Sequence, residues 1–248
     1  MIHLKNAHQI QKMRVAGKIS HNALMAAGAA VVPGATTAEI DRVAYEFITK
    51  AGAKPSFLGF GGFPATCCIS VNDEVIHGIP GNRKIVRGDI VSIDVGAIYD
   101  GWQGDNAFTF TAGEVSEEAQ KLLDATRESL AEGIKAAVAG NRLGDVGAAV
   151  QQYVEARGYS VVREYVGHGI GEEMHEEPDV PNYGRQGHGV RLVPGMVIAI
   201  EPMVNQGTRH VRTISNGWTV VTTDGQLSAH FENTVAITAE GPVILTAP

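Results

Sequence analysis

One pattern occurs twice in this chain. Arg87-Gly88-Asp89-Ile90-Val91-Ser92-Ile93-Asp94 runs from a turn through an apolar strand to a carboxylate, and Pro194-Gly195-Met196-Val197-Ile198-Ala199-Ile200-Glu201 does the same. Gly88 and Gly195 set the offset, 195 − 88 = 107. A further acid follows each copy, in Asp105-Asn106-Ala107-Phe108 and in Glu232-Asn233-Thr234-Val235. Such a duplication limits the fold to two similar halves packed about a pseudo-twofold axis. Four carboxylates then converge on one place. Converging carboxylates repel and lose hydration, so cations are needed to hold them together.

The repeat extends to the helices. Apolar spacing from Ala7 through Ile10, Met13, Gly17, Ile19 and Leu24 predicts a helix that stops at Val32-Pro33-Gly34. Thr36-Thr37-Ala38-Glu39 is a capping box for a second helix, with Ile40, Ala44, Phe47 and Ile48 on one face and Gly52 at its end. Ser116, with Glu117 and Glu118 behind it, caps a third helix that ends near Gly140. A fourth, about Leu143 to Arg157, buries Val146, Val150, Tyr153 and Val154. Strands are expected at about 67–71, 90–98 and 106–111, then at 197–203, 217–222 and 232–238. The second half carries extra residues over 204–226, expected as a longer hairpin over the site. The segment Glu172 to Arg191, polar and rich in Gly and Pro, reads as a loop of the kind that carries function. The reading is a single domain over 1–248 of mixed α/β (α+β) class, with pseudo-symmetric halves of about 1–112 and 113–248, each helix-helix-strands.

The acids define the chemistry. An acid placed directly after Ile93 or Ile200 sits where water is scarce. Carboxylate oxygens are hard donors that suit manganese, iron, cobalt or zinc better than copper. Two divalent cations balance four negative charges, and two metals roughly 3.5–4 Å apart can share carboxylates and a water that loses its proton near neutral pH. Hydrolysis is the expected reaction.

His168, in Gly167-His168-Gly169-Ile170-Gly171, is a candidate nitrogen ligand; subtracting 107 aligns it with Gly61 in Gly59-Phe60-Gly61-Gly62-Phe63. His77, in Ile76-His77-Gly78-Ile79-Pro80, and His175, in Met174-His175-Glu176-Glu177-Pro178, have no counterpart in the repeat. Each reads either as a turn histidine or as a group that positions substrate and stabilises a developing oxyanion. His175-Glu176-Glu177 lacks the second histidine of the His-Glu-x-x-His zinc motif, and the glycine-rich segments match neither a phosphate loop nor a dinucleotide fingerprint.

Composition narrows the partners. A net charge of −7 argues against nucleic acid as a general partner. No apolar run approaches the roughly 20 residues of a membrane span, and the first residues lack a signal-peptide pattern. Cys67 and Cys68 are adjacent and ill-placed for a structural disulfide, which points to a reducing cytoplasm.

Taken together these residues resemble the type I methionine aminopeptidases. The matching stretches are Cys68-Ile69-Ser70-Val71-Asn72, His77-Gly78-Ile79-Pro80, Asp94-Val95-Gly96, Asp105, Gly167-His168-Gly169-Ile170-Gly171, His175-Glu176-Glu177-Pro178, Glu201-Pro202 and Glu232-Asn233-Thr234. The resemblance spans essentially the whole chain. It implies the pita-bread fold, a pseudo-twofold αβ sandwich around a curved, antiparallel-rich central sheet, with two divalent ions between the halves. By matching positions it implies that Asp94 chelates one ion, His168 and Glu201 bind the other, and Asp105 and Glu232 bridge both. His77 contacts the scissile amide, His175 stabilises the tetrahedral intermediate, and Glu201 also helps move a proton. Phe60, Phe63, Cys68 and Trp218, with Met174 at the rim, form the pocket for a methionine side chain, whose soft unbranched thioether suits aromatic walls.

The implied activity is removal of the initiator methionine from nascent proteins ahead of a small second residue. The implied setting is the cytoplasm, with a monomeric enzyme, ribosomes nearby, and no membrane or specific nucleic acid. Many relatives have a histidine in place of Gly61 and an aromatic in place of Met174. The chain opens on its first helix, without the zinc-binding extension of some type I enzymes, and has no segment long enough for the type II insertion. Two rivals remain at this stage: prolidases and aminopeptidases P, which share the fold and ligand set but usually carry an extra N-terminal domain, and a binding protein on an inactive peptidase scaffold.

Overall fold

A computed structural model describes all residues from Met1 to Pro248. The first half contains α1 (Ala7–Ala29), α2 (Thr37–Lys50), β1 (Lys54–Pro55), a 3-10 turn at Phe60–Gly62, β2 (Cys67–Val71), β3 (Glu74–Ile76), β4 (Ile90–Tyr99) and β5 (Trp102–Thr111). The second contains α3 (Glu117–Ala136), α4 (Leu143–Glu155), β6 (Ser160–Val161), β7 (Gly167–Gly169), β8 (Glu176–Val180), β9 (Val197–Ile200), β10 (Met203–Asn205), β11 (Val211–Thr213), β12 (Val220–Thr222), β13 (Ser228–His230), β14 (Asn233–Ile237) and β15 (Pro242–Ile244).

The helix starts follow from side-chain caps. Asn6 and Gln9 form a reciprocal capping box on α1, and Thr36 and Glu39 form one on α2. Ser116 Oγ accepts the Ala119 N–H at the start of α3. The carboxylate of Asp145 accepts the Arg142 N–H at the start of α4 and also the Gly187 N–H, tying a distant loop to that helix end. Each helix pair packs on its own sheet. Ala23, Leu24, Ile40, Ala44 and Ile48 meet Ile69, Val91 and Ile93 in the first half. Leu122, Leu130, Val146 and Val150 meet Ile198, Ile200 and Val235 in the second. Tyr153, expected in the core, is instead half-exposed and lies under the Arg157 guanidinium, 3.5 Å from its ring centroid. Gly104 lets α1 lie directly on β5: a Cβ there would come within 2.5 Å of the Gly17 backbone.

All strand pairings are antiparallel. The expected central sheet is divided into hydrogen-bonded parts. A four-stranded sheet places β4 between β2 and β5, and a five-stranded sheet runs β15-β14-β9-β7-β8. These two meet along β5 and the chain leading into β14. The Glu232 N–H donates to the Ala107 carbonyl at 2.9 Å, flanked by Thr234 on Asp105 and Thr109 on His230.

Three further expectations need correction. Residues 172–191 are not wholly loop, since β8 lies within them and pairs with β7. The strand expected over 197–203 breaks at Glu201-Pro202, where proline cannot donate to a ladder, into β9 and β10. The offset of 107 does not carry back to His168. Gly169 pairs with Ile198, and Ile198 corresponds to Val91 (198 − 107), which pairs with Val71. In that strand the offset is therefore 169 − 71 = 98, so β7 matches β2, and Gly61 lies outside the match in the 3-10 turn.

The extra residues over 204–226 do form a hairpin. It is β11 and β12, and β12 pairs with β3 of the first half. The hairpin thus closes over the seam and carries Trp218.

Candidate metal centre and substrate pocket

The five proposed ligands come from neighbouring strands across the seam. Asp94 lies on β4, Asp105 on β5, Glu232 just before β14, Glu201 just after β9 and His168 on β7. In the ladders Asp94 faces Ala107, Asp105 faces Gly96, and Ile200 faces Asn233, so Glu201 and Glu232 leave their strands side by side. Asp105 and Glu232 occupy the two strands at the seam, while Asp94 and Glu201 lie one strand outward on either side. That is the placement needed for a shared inner pair of carboxylates and an outer pair.

The side chains converge. His168 Nε2 lies 3.8 Å from Asp105 Oδ2 and 3.7 Å from Glu201 Oε1. Donor atoms of Asp105, His168 and Glu232 lie within 4.8 Å of one another, as do those of Glu201, His230 and Glu232. Asp94 Oδ1, Asp105 Oδ1 and Glu232 Oε1 are buried without any hydrogen-bond partner. Buried polar oxygens almost always have partners, so three orphans pointing into one space fit a cationic group. The donor set, four carboxylates and an imidazole, fits hard or borderline divalent ions.

Electrostatics give the same picture. Burial raises the Asp94 carboxyl to about 7 and that of Glu201 to about 8. Asp105 and Glu232 are pushed well up, by burial first and then by neighbouring carboxylates. Burial holds the imidazole of His168 down at about 4, a neutral ligand state. The Gly169 carbonyl lies 2.9 Å from Nδ1, which leaves Nε2 for the centre.

A cavity of about 190 Å³ opens beside the acids. Its walls are Phe57, Phe60, Gly61, Phe63, Cys68, Met174 and Trp218, with His77, Asp94, His168, His175 and Glu201 at its inner end. The residues anticipated for the pocket, Phe60, Phe63, Cys68, Met174 and Trp218, border this one cavity, together with Phe57 and Gly61. Phe63 and Trp218 meet edge to face with centroids 5.2 Å apart. The cavity falls below the ~300–1,000 Å³ typical of small-molecule sites, a size for one side chain rather than a whole ligand. Gly61 sits at its mouth with φ +56°, where a Cβ would lie 3.6 Å from the Trp218 ring. A second, larger space of about 520 Å³ shares His77, His168, His175 and Glu201 and continues outward past Tyr165 and several carboxylates.

His77 and His175 flank the junction of the two spaces. His77 holds a left-handed backbone, φ +58°, uncommon for a residue with a side chain and frequent at functional sites. Its ring meets Tyr165 and Trp218, and its carbonyl accepts the Thr219 hydroxyl at 3.3 Å. Burial lowers its pKa to about 4. The His175 ring packs against His168, 4.3 Å between centroids, and against Phe60 at 5.3 Å.

Sequence reasoning missed three groups. Lys5 donates to Glu176 Oε2, with both side chains buried, and Glu176 Oε1 accepts the Glu172 N–H at 3.1 Å. This pair pins the turn that carries His175. Nothing near Lys5 signals it. Thr234 clamps Asp105 across the seam. His230 is fully enclosed beside Glu201, and simple alternation through Phe231 to Glu232 would have placed it on the ligand face.

Comparison with known proteins identifies the family. The profile of metallopeptidase family M24 matches residues 11–239. The chain is 59% identical over 247 residues to the methionine aminopeptidase of Clostridium acetobutylicum, covering 99% of each chain. It is 50% identical to methionine aminopeptidase 1 of Bacillus subtilis over 249 residues, again 99% of each. The crystal structure of methionine aminopeptidase from Thermotoga maritima superposes with a TM-score of 0.98 at 46% identity over 100% of both chains. The prolidase of Pyrococcus horikoshii gives 0.79 at 25% identity, covering 98% of this chain but 63% of the prolidase.

Proposed function

The chain belongs to metallopeptidase family M24, and on that premise we propose that it removes the N-terminal methionine from nascent polypeptides, cutting ahead of a small second residue. The observation that carries this reading is the 190 Å³ aromatic and sulfur-lined cavity ending on the acid cluster. It takes one unbranched apolar side chain and leaves the scissile bond beside the metal ligands.

Asp94, Asp105, His168, Glu201 and Glu232 would hold two divalent ions, drawn from cobalt, manganese, iron or zinc. Such ions supply Lewis acidity and make a water acidic enough to serve as nucleophile near neutral pH. The protein's side chains do the rest. Phe57, Phe60, Phe63, Cys68, Met174 and Trp218 grip the methionine side chain and exclude water around it. His77 holds the scissile amide from one side. His175 faces the carbonyl from the other and stabilises the charge that develops on its oxygen. Glu201 accepts a proton from the attacking water and returns it to the leaving amine. A bulky second residue would meet His77, Tyr165 and His175 at the junction of the two cavities.

The setting is read the same way. No helix is long and apolar enough to cross a membrane. Cys67 and Cys68 are free and buried, in keeping with a reducing cytoplasm. We place the enzyme there as a monomer acting on chains as they leave the ribosome.

The test is release of free methionine from Met-Ala-Ser by metal-stripped protein, with cobalt, manganese, iron or zinc added back singly. Metal-dependent release is expected. Cleavage of Xaa-Pro peptides in its place would move the reading to a prolidase-like activity. Metal uptake with neither cleavage would move it to a binding scaffold.

A further inference from the structure

His230 is a buried polar group at the centre with no part in the scheme above. Its ring is 1% exposed, and Nε2 has no hydrogen-bond partner. The backbone holds it firmly: its N–H donates to Thr109 Oγ1 at 3.0 Å, and its carbonyl accepts from that hydroxyl at 2.9 Å. Phe231, next in the chain, turns the other way onto Phe108, with centroids 4.7 Å apart. His230 therefore shares the face of Glu232 and looks into the acid cluster.

Its position relative to Glu201 is specific. His230 Nε2 lies 3.6 Å from Glu201 Oε2, whereas His168 Nε2 lies 3.7 Å from Oε1. The two oxygens of one carboxylate thus face two imidazoles. A glutamate side chain ends in a soft torsion, and left free it can present either oxygen or both. We propose that His230 is a positioning residue for Glu201: its Nε2–H donates to Oε2 and so commits Oε1 to the metal that His168 also serves. The inference rests on the metal centre proposed above. Its physical basis is general: ligating carboxylates are themselves hydrogen-bonded, and the loss of such a partner weakens metal binding. It also accounts for an imidazole nitrogen that would otherwise stay buried and unsatisfied.

The test uses His230→Gln and His230→Leu in the full chain, stripped of metal. Cobalt(II) and manganese(II) affinities are measured by calorimetric titration, and the visible spectrum of the cobalt-loaded protein is recorded. The leucine variant is expected to lose ~10–100-fold in metal affinity, while the glutamine variant, whose amide can still donate to Oε2, stays within about threefold and keeps the cobalt bands. Leucine binding metal as tightly as wild type would overturn the proposal. Glutamine losing as much as leucine, with shifted cobalt bands, would also overturn it, because His230 would then be a ligand in its own right. Metal-free melting curves check folding. If leucine does not fold, His230→Met takes its place, and the glutamine spectrum still decides. Failure of wild-type protein to take up cobalt would count against the metal centre rather than against the role of His230.

Discussion

Thr234 and Asp105, 129 residues apart, share one hydroxyl across the seam of the molecule. Thr234 Oγ1 accepts the Asp105 N–H at 3.1 Å and donates to the Asp105 carbonyl at 2.8 Å. Asp105–Thr234, Ala107–Glu232 and Thr109–His230 each sum to 339, the signature of an antiparallel register. The first two pairs exchange when 127 is added to one half (105 + 127 = 232; 107 + 127 = 234). The inner acids are therefore tied across the seam as well as within their own sheets: Asp105 keeps its β4 partner Gly96, and the Thr234 hydroxyl and the Glu232 N–H add contacts between the halves. Thr234→Val keeps the shape but leaves buried groups of Asp105 short of a partner, at a cost of ~1–3 kcal/mol. The melting temperature is expected to fall by roughly 2–4 °C per kcal/mol, with weaker metal binding. A melt unchanged from wild type would mean that the seam does not depend on this hydroxyl.

Substitution at a ligand has two effects of opposite sign. Burial pushes the Asp105 carboxyl well up, so it must take up a proton when the metal-free chain folds; Asp105→Asn removes that cost, and metal-free protein is expected to melt higher than wild type near neutral pH. The substitution also removes a shared ligand. Wild type gains about 2.7 kcal/mol from metal at a hundredfold excess over its dissociation constant, and the variant is expected to lose most of that gain. Activity should fall by more than the ~10–100-fold typical of losing an outer partner. Melting curves with and without manganese, beside the Met-Ala-Ser assay, check all three expectations.

The same cluster sets a pH dependence. Burial holds Asp94 at about 7 and Glu201 at about 8, against ordinary values of 3.8 and 4.5. Between those limits the folded, metal-free protein binds more protons than the unfolded chain. This contribution to stability is full below the ordinary values and is lost as pH rises through the folded ones. Metal binding needs the ionised forms, so the metal-induced rise in melting temperature should grow from about pH 5 to about pH 8. Other carboxylates titrate in both states, so the difference between metal-free and metal-loaded curves isolates the centre. A difference that shrinks with rising pH would contradict this account.

Lys5 is predicted to matter out of proportion to its place near the chain start. Lys5→Met leaves the Glu176 carboxylate buried without its cation, a loss of ~3–5 kcal/mol. The turn carrying His175 should loosen, lowering kcat as well as stability. The double variant Lys5→Met with Glu176→Gln should recover much of the stability. A single variant as stable as wild type would show that the pair is not held as described.

His175 is expected to act on the reaction more than on binding. His175→Ala should lower kcat by ~10²–10³ with little change in KM, as for loss of an oxyanion donor. A large rise in KM at unchanged kcat would assign the ring to substrate binding instead.

The chain alone determined a good deal of this. The helix starts could be read from Thr36 with Glu39 and from Ser116, because a cap acts over three or four residues. The outer acids could be read from Ile93-Asp94 and Ile200-Glu201, because alternation and burial along a strand are local. The inner acids could be read because the repeat returned them. Tertiary structure decided what no local rule reaches. The 98-residue offset at His168 depends on loop lengths that the repeat does not conserve, and it moves Gly61 out of correspondence. The splitting of the central sheet, and the Thr109 and Thr234 contacts that rejoin its parts, arise only where the two halves meet. Lys5 meets Glu176 across 171 residues. Contacts of that range carry no periodic signal, since they form only when the helices, by burying their apolar faces, have already brought the sheets together.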